Sequence, residues 1–278
     1  MKTILVLTDF SYNAYSALFY AAKLFEDEPS QFIILNSFED DVVSYSTSIS
    51  KKEVSNFYQK AKANCLAVQH KLIGDLETTE HTFKIKVTSL SLIKAVKQIT
   101  NKKSIDLVVM GTRGKTDSNN VFLGSNSFKV IKKIQTIPLL IIPNEIDYVA
   151  PRKIGLATGF KNKYDISQIE FLLGLTKRFN TDLKVIYISM DKKFSENQKA
   201  NFNHLFKIAK HCNPEFNWIP ESASKYEALQ EYIEKEPLDM LALTYYKHGF
   251  INSLFREKVV KDVSRNISIP FIVIPNTA

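Results

Sequence analysis

Three glycines at a strand-to-helix handover form the pattern in this chain most able to do chemistry. They lie in Val108-Val-Met-Gly-Thr-Arg-Gly114, followed after nine residues by Gly124-Ser125. Gly111 and Gly114 would allow a tight turn and a close approach to a ligand, with no Cβ in the way. Gly124-Ser125 stands where the next helix should open, so its unpaired N–H groups face outward and can receive an anion such as a phosphate. The spacing Gly-x2-Gly-x9-Gly-Ser matches neither the P-loop nor the dinucleotide fingerprint. Three glycines alone also suit an ordinary connecting loop, so the flanking elements have to decide.

Those elements fit a ligand-binding loop. Ile105 and Leu107 to Met110 make an apolar run of strand length, and Val130, Ile131 and Ile134 recur at helical spacing. The chain opens with a buried-type strand from Thr3 to Leu7, ending in Thr8, Asp9 and Ser11. A helix follows whose Ala14, Ala17, Leu18, Ala21 and Phe25 share one face. Asp9 or Ser11 could serve as a helix N-cap. Alternatively, Asp9 is a carboxylate at the carboxyl end of a parallel strand, where open α/β sheets bind ligands.

Thr8-Asp-Phe-Ser-x-x-Ala-x-x-Ala-Leu18, together with the later Gly111-x2-Gly-x9-Gly-Ser125, resembles the nucleotide-binding universal stress proteins over about residues 1 to 144. The resemblance implies an adenine nucleotide α-hydrolase-like, Rossmann-like fold that binds ATP or a related adenine nucleotide, with Mg accompanying the phosphates. Under it, Asp9 hydrogen-bonds the adenine or ribose, Leu7 and Thr8 line the same floor, and Ser37 offers backbone groups to the base. Met110 covers the ribose side. Gly111, Arg113 and Gly114 wrap the phosphates, and Gly124, Ser125 and Asn126 donate backbone N–H groups. Ser37 departs from the aliphatic residue common at its position in relatives. The resemblance further implies a regulatory or stress-sensing role with no catalytic residue and at most slow, incidental hydrolysis.

The second half repeats the first. Ile137-Pro-Leu-Leu-Ile-Ile-Pro-Asn144 returns as Ile269-Pro-Phe-Ile-Val-Ile-Pro-Asn276, and Arg152-Lys-Ile-Gly-Leu-Ala-Thr-Gly-Phe160 echoes the first strand, with Thr158 in the place of Thr8. Thr8 and Pro138 are 130 residues apart but Thr158 and Pro270 only 112, so the second copy is 18 residues shorter. Registering Ser37 with Ser189 and Phe83 with Asn217 puts the deficit between the second and third strands. There the first copy gains a long amphipathic helix marked by Val54, Phe57, Tyr58, Ala61, Cys65, Val68 and Leu72. The expected architecture is therefore α/β, with two tandem doubly wound parallel-sheet domains at 1–146 and 150–278 and a linker at 145–152. The apolar end strands Leu139 to Ile142 and Phe271 to Ile274 are expected to pair within one chain, with a homodimer as a further option.

In the second copy Gly159 replaces the aspartate, and Thr244-Tyr-Tyr-Lys247 replaces Gly-Thr-Arg-Gly. Leu254-Phe-Arg-Glu257 follows near the point where Gly-Ser should open a helix. Tyr245, Tyr246, Phe250 and Phe255 suggest either a filled pocket or one remade for another ligand. One nucleotide per chain is expected.

The net charge of +8 comes from lysines scattered over many helices, without a basic stretch interleaved with stacking aromatics, so no nucleic-acid partner is expected. No run approaches the roughly 20 apolar residues of a membrane span, and the opening residues are too short for a signal core, so neither a membrane nor export is expected and the cytoplasm is. Cys65 and Cys212 read as reduced, buried thiols. The five histidines show no zinc-site spacing. There is also no Gly-x-Ser-x-Gly elbow, Ser-Gly-Gly-x-Asp-Ser loop or Lys-Met-Ser-Lys-Ser signature, so a hydrolysing enzyme of related fold is the weaker alternative. The remaining alternative is an interaction module without nucleotide.

Overall fold

The computed structural model describes residues 1–43, 50–77, 79–112, 125–134, 136–144, 146–190, 193–245 and 269–275. The chain divides into two compact units, the main boundary falling between Tyr148 and Val149.

The first unit runs β1 (Lys2–Leu7), α1 (Tyr12–Leu24), β2 (Ser30–Ser37), α2 (Glu39–Val43), α3 (Lys51–Asp75), β3 (Thr82–Thr88), α4 (Leu92–Thr100), β4 (Leu107–Gly111), α5 (Ser125–Lys133) and β5 (Leu139–Ile142). Its strands lie in the order β3-β2-β1-β4-β5, all parallel. Val6 pairs with Ile34 on one side and Val109 on the other, so β1 is central. Ile4, Leu5, Val6, Leu107, Val108 and Val109 are fully buried. This is why β1 and β4 are continuously apolar: helices cover both faces of a parallel sheet. β3 lies at the edge and reads Thr-Phe-Lys-Ile-Lys-Val-Thr, alternating half-buried with exposed residues, and its outward lysines discourage further strand pairing.

The second unit repeats this plan. It comprises β6 (Lys153–Ala157), α6 (Ile166–Phe179), β7 (Asp182–Ile188), α7 (Glu196–Ile208), a 3-10 turn (Lys210–Cys212), β8 (Glu215–Ile219), α8 (Lys225–Lys235), β9 (Met240–Tyr245) and β10 (Phe271–Pro275). The strand order β8-β7-β6-β9-β10 is that of the first unit, again all parallel. Even local bonds recur. Asp106 accepts from the Thr3 amide at 2.7 Å, and Asp239 from the Lys153 amide at 2.8 Å.

Two expectations need correction. The β1–β2 and β6–β7 registers, with Thr8 N–H donating to Leu35 and Thr158 N–H to Ile186, match Ser37 to Ile188 rather than Ser189. The third-strand register matches Ile85 to Phe216, hence Phe83 to Pro214 rather than Asn217. Pattern matching slipped because both strands are apolar enough to fit several registers. The long helix of the first copy is also not itself an insertion, although the short α2 before it has no counterpart among the described residues of the second unit. α7 occupies the same place in the second unit with 13 residues, and α3 is its 25-residue counterpart. On α3 the buried residues are Ala61, Cys65 and Leu72, while Tyr58 is off the buried face and exposed.

Candidate functional site

The turn leaving β1 is tightly specified. Thr8 is buried, its amide donating to Leu35 O at 2.9 Å and its carbonyl accepting from Asn36 Nδ2 at 2.9 Å. Phe10 holds a left-handed backbone, φ 66°, costly for a bulky side chain, and its amide donates to Thr8 Oγ1 at 3.0 Å. Ser11 caps α1, its hydroxyl oxygen accepting from the Ala14 amide at 3.2 Å. Asp9 Oδ1 in turn accepts from the Ser11 amide at 3.0 Å and the Ser11 hydroxyl at 2.6 Å. The cap is therefore Ser11, and Asp9 orients it from the carboxyl end of the strand.

β4 ends at Gly111, and α5 begins at Ser125, as its sequence position beside Gly124 implied. Ser127, buried in the first turn of α5, donates to Gly111 O at 3.0 Å and Thr112 O at 3.2 Å. From the other side Asn13, on α1, donates through Nδ2 to Ile142 O at 3.1 Å and Pro143 O at 3.0 Å. Side chains of α5 and α1 thus hold the ends of β4 and β5.

Beside these ends lies a cavity of about 430 Å³, within the range of small-molecule sites. It sits where the strand order reverses between β1 and β4, the switch point at which open α/β sheets bind ligands. Leu7, Thr8, Asp9, Ser37, Met110, Gly111 and Asn126 all line it. Arg113, Gly114 and Gly124 lie outside the described residues, and Ser125 is placed only as the opening residue of α5. The Ser37 hydroxyl is committed to Leu90 O at 2.7 Å.

The lining is polarised. Glu39, Asp40 and Asp41 of α2 stand on the β2 side, and Asn126, Ser127 and Lys129 of α5 on the β4 side. β1 separates the two, so hydrogen-bond acceptors gather at one end and a helix N-terminus with a lysine at the other. α3 supplies a further wall through Phe57, Lys60, Ala61 and Asn64. Asn36, 5% exposed and part of the same lining, has an Oδ1 with no donor among the described residues. An unmet buried acceptor costs on the order of 1–3 kcal/mol, so a ligand N–H or O–H, or a water, is favoured there.

Sequence reading missed Asn13, Asn36, Ser127, Lys60 and Lys129. The first two had a readable signal: an amide in the apolar run of β2, and another beside the apolar face of α1. Elsewhere, Cys65 is buried with its thiol pushed up to about 12 by burial, whereas Cys212 is only half-buried, against Thr176 Oγ1 at 3.1 Å. No group of three metal-ligating side chains occurs among the described residues, and none of their helices is long and apolar enough to cross a membrane.

The corresponding crevice of the second unit is occupied by protein. Tyr164, the counterpart of Ala14, is fully buried. Its hydroxyl donates to Thr158 Oγ1 at 2.9 Å and is also hydrogen-bonded to Thr244, the counterpart of Gly111. α7 closes over the turn: Gln198 donates to Gly159 O at 3.0 Å, Asn201 to Phe160 O at 2.9 Å, and His204 Nε2 meets Tyr164 O at 2.9 Å. Phe160, itself at φ 51°, packs against Tyr187, Phe194 and Phe202. These aromatics differ from the expected set: Tyr246, Phe250 and Phe255, with Lys247 and 254–257, lie outside the described residues, and only the strand position of Tyr245 is described.

Solved structures with this fold include a universal stress protein from Archaeoglobus fulgidus, with TM-score 0.67 and 14% identity over 99% of this chain and 96% of that one. A functionally unknown protein from Pseudomonas aeruginosa aligns with TM-score 0.56 and 10% identity, over 99% of this chain and 92% of that one. The cytoplasmic domain of a prokaryotic cation chloride cotransporter aligns with TM-score 0.55 and 12% identity, over 99% and 95%. At these identities the likeness is one of fold. A search of curated proteins found no match to the chain. The model of the universal stress protein family matches residues 1–143, the part that builds the β1–β4 cavity, and the chain belongs to that family.

Proposed function

We propose that the first domain binds ATP or a related adenine nucleotide, one per chain, and that the chain acts as a cytoplasmic sensor or regulator rather than an enzyme. The observation that carries this is the cavity at the β1–β4 switch point, which gathers seven residues from distant parts of the sequence around one space. The acceptor-rich end beside β2 suits a base and ribose, which offer N–H and O–H donors: Leu7, Thr8 and Asp9 form the floor, Ser37 the base side and Met110 the ribose side. The opposite end suits phosphates, held by the backbone at Gly111 and the first turn of α5 at Ser125 and Asn126. Arg113, Gly114 and Gly124 join them on sequence grounds, Arg113 bringing a planar, permanent positive charge. Mg would accompany the phosphates as a counter-ion. The expected pairing of the two copies, and a homodimer beyond it, are part of the same proposal and are read by solution mass and cross-linking.

Native mass spectrometry of freshly purified protein, followed by calorimetric titration with ATP, tests the reading. A retained adenine nucleotide and a stoichiometry of one are expected. No binding would favour an interaction module, and steady release of product would favour an enzyme.

A further inference from the structure

The first glycine of the loop has a reason unrelated to its ligand. Gly111 does not hold a positive φ, so its backbone conformation is open to other residues. It pairs in register with Ile142 as an ordinary strand residue. Space is what excludes a side chain there: a Cβ would lie 2.6 Å from Asn13 Cγ and 3.1 Å from the Asn13 backbone carbonyl carbon. Real Cβ atoms essentially never approach as closely as the first of these, the second is tight, and Asn13 cannot swing aside cheaply. Its Nδ2 is committed to Ile142 O and Pro143 O, and its Oδ1 accepts from Thr112 Oγ1 at 3.4 Å. At 4% exposure, any of these groups left unmet costs free energy.

We infer that Asn13 is a positioning residue for the phosphate end of the site, and that Gly111 is the socket that admits it. Asn13 holds the exits of β4 and β5 from one side while Ser127 holds the Gly111 and Thr112 carbonyls from the other, so the backbone entering the glycine loop is clamped between α1 and α5. The second copy supplies a natural control. Its counterpart of Asn13 is Lys163, which is exposed, and where no amide fills the socket the counterpart of Gly111 carries a side chain, Thr244. The pair changes together, as steric coupling requires. The positioning role rests on the nucleotide reading above, whereas the socket does not.

A double-mutant cycle on the full chain tests both parts, using Gly111→Ala, Asn13→Ser and the two combined. Thermal unfolding reads the socket: Gly111→Ala alone lowers Tm by several degrees, and in the Asn13→Ser background, where only the 3.1 Å backbone contact remains, the same alanine costs distinctly less. If Gly111→Ala alone does not fold, recovery of folded protein on adding Asn13→Ser reads the same coupling. Additive losses, or a double variant that also fails to fold, overturn it. Titration with ATP and with adenosine reads positioning. Asn13→Ser weakens ATP by on the order of tenfold, within the usual range for coupled neighbours, while adenosine affinity stays within about twofold. Equal losses for both ligands overturn the positioning role. A wild-type chain that binds no ATP would remove the nucleotide reading and the positioning role with it, while the unfolding cycle would still decide the socket.

Discussion

The Tyr164 hydroxyl donates to Thr158 Oγ1 at 2.9 Å, inside a crevice whose counterpart in the first unit is left open by Ala14. The two residues show how one fold yields a cavity in one copy and a packed core in the other. Tyr164 fills the space with its ring and satisfies its hydroxyl on Thr158 and Thr244. α7 then fastens the same turn through Gln198, Asn201 and His204, one residue per turn of helix on one face. Burial of this aromatic cluster replaces whatever a ligand would have contributed to stability.

Removing the bridging hydroxyl by Tyr164→Phe takes one buried partner each from Thr158, which keeps the Phe160 amide, and Thr244, at a cost of about 1–3 kcal/mol. Chemical denaturation should show that loss while ATP affinity is unchanged. A weakened ATP titration would mean that the second domain contributes to the nucleotide site.

α3 makes a specific prediction about the first site. Among the described residues, Lys60 and Lys129 are the lysines of the cavity lining, and both are exposed. Lys60→Glu should weaken ATP about three- to tenfold at low ionic strength, with the effect shrinking as salt rises, because both groups sit at an exposed rim. Adenosine, which lacks phosphate charge, should bind nearly as before. An equal loss for adenosine would place Lys60 at the base end instead.

The strands and their order in the chain were legible because continuous apolar runs are local signals, and the helix start at Ser125 was legible beside Gly124, whereas the glycine loop between them lies outside the described residues. Leu7, Thr8, Asp9, Ser37, Met110, Gly111 and Asn126 do converge on one cavity. What escaped was carried by long-range contacts. Asn13 meets carbonyls 129 and 130 residues away, and no periodicity announces such a pair. Tyr164 carries no local signal, and only the tertiary structure shows its hydroxyl meeting Thr244, 80 residues on. The one- and three-residue register slips came from matching apolar runs without the hydrogen bonds that fix them.

His81 couples stability to pH. Its Nδ1 accepts from the Ser30 amide at 3.3 Å, and its Nε2 lies 3.1 Å from Ala22 O, so the neutral ring carries its proton on Nε2. Burial lowers its pKa below the ordinary 6.5, with the Ala22 carbonyl and the Glu26 charge opposing. Because the unfolded chain takes the proton first, the stabilisation is complete above about pH 6.5 and is lost as pH falls through the depressed folded value. His81→Phe should flatten this part of the stability profile below pH 6.5. An unchanged slope in denaturation at a series of pH values would assign it to other groups.

The assignment of the working domain can be decided by charge. Only the first copy keeps Asp9, Gly111, Gly114, Gly124 and Ser125, while the second offers Gly159 and Thr244-Tyr-Tyr-Lys247. Gly114→Asp or Gly124→Asp would bring a carboxylate to the phosphates, and repulsion between unit charges at about 4 Å in a partly screened site is worth a few kcal/mol, on the order of a hundredfold or more in Kd. Lys247→Asp should leave affinity nearly unchanged, and all three variants should keep the wild-type unfolding midpoint to within a few degrees. Calorimetric titration with ATP separates the cases. A strong loss with Lys247→Asp and none with Gly114→Asp, or two equivalent sites in the wild type, would transfer the site to the second domain or share it between the two.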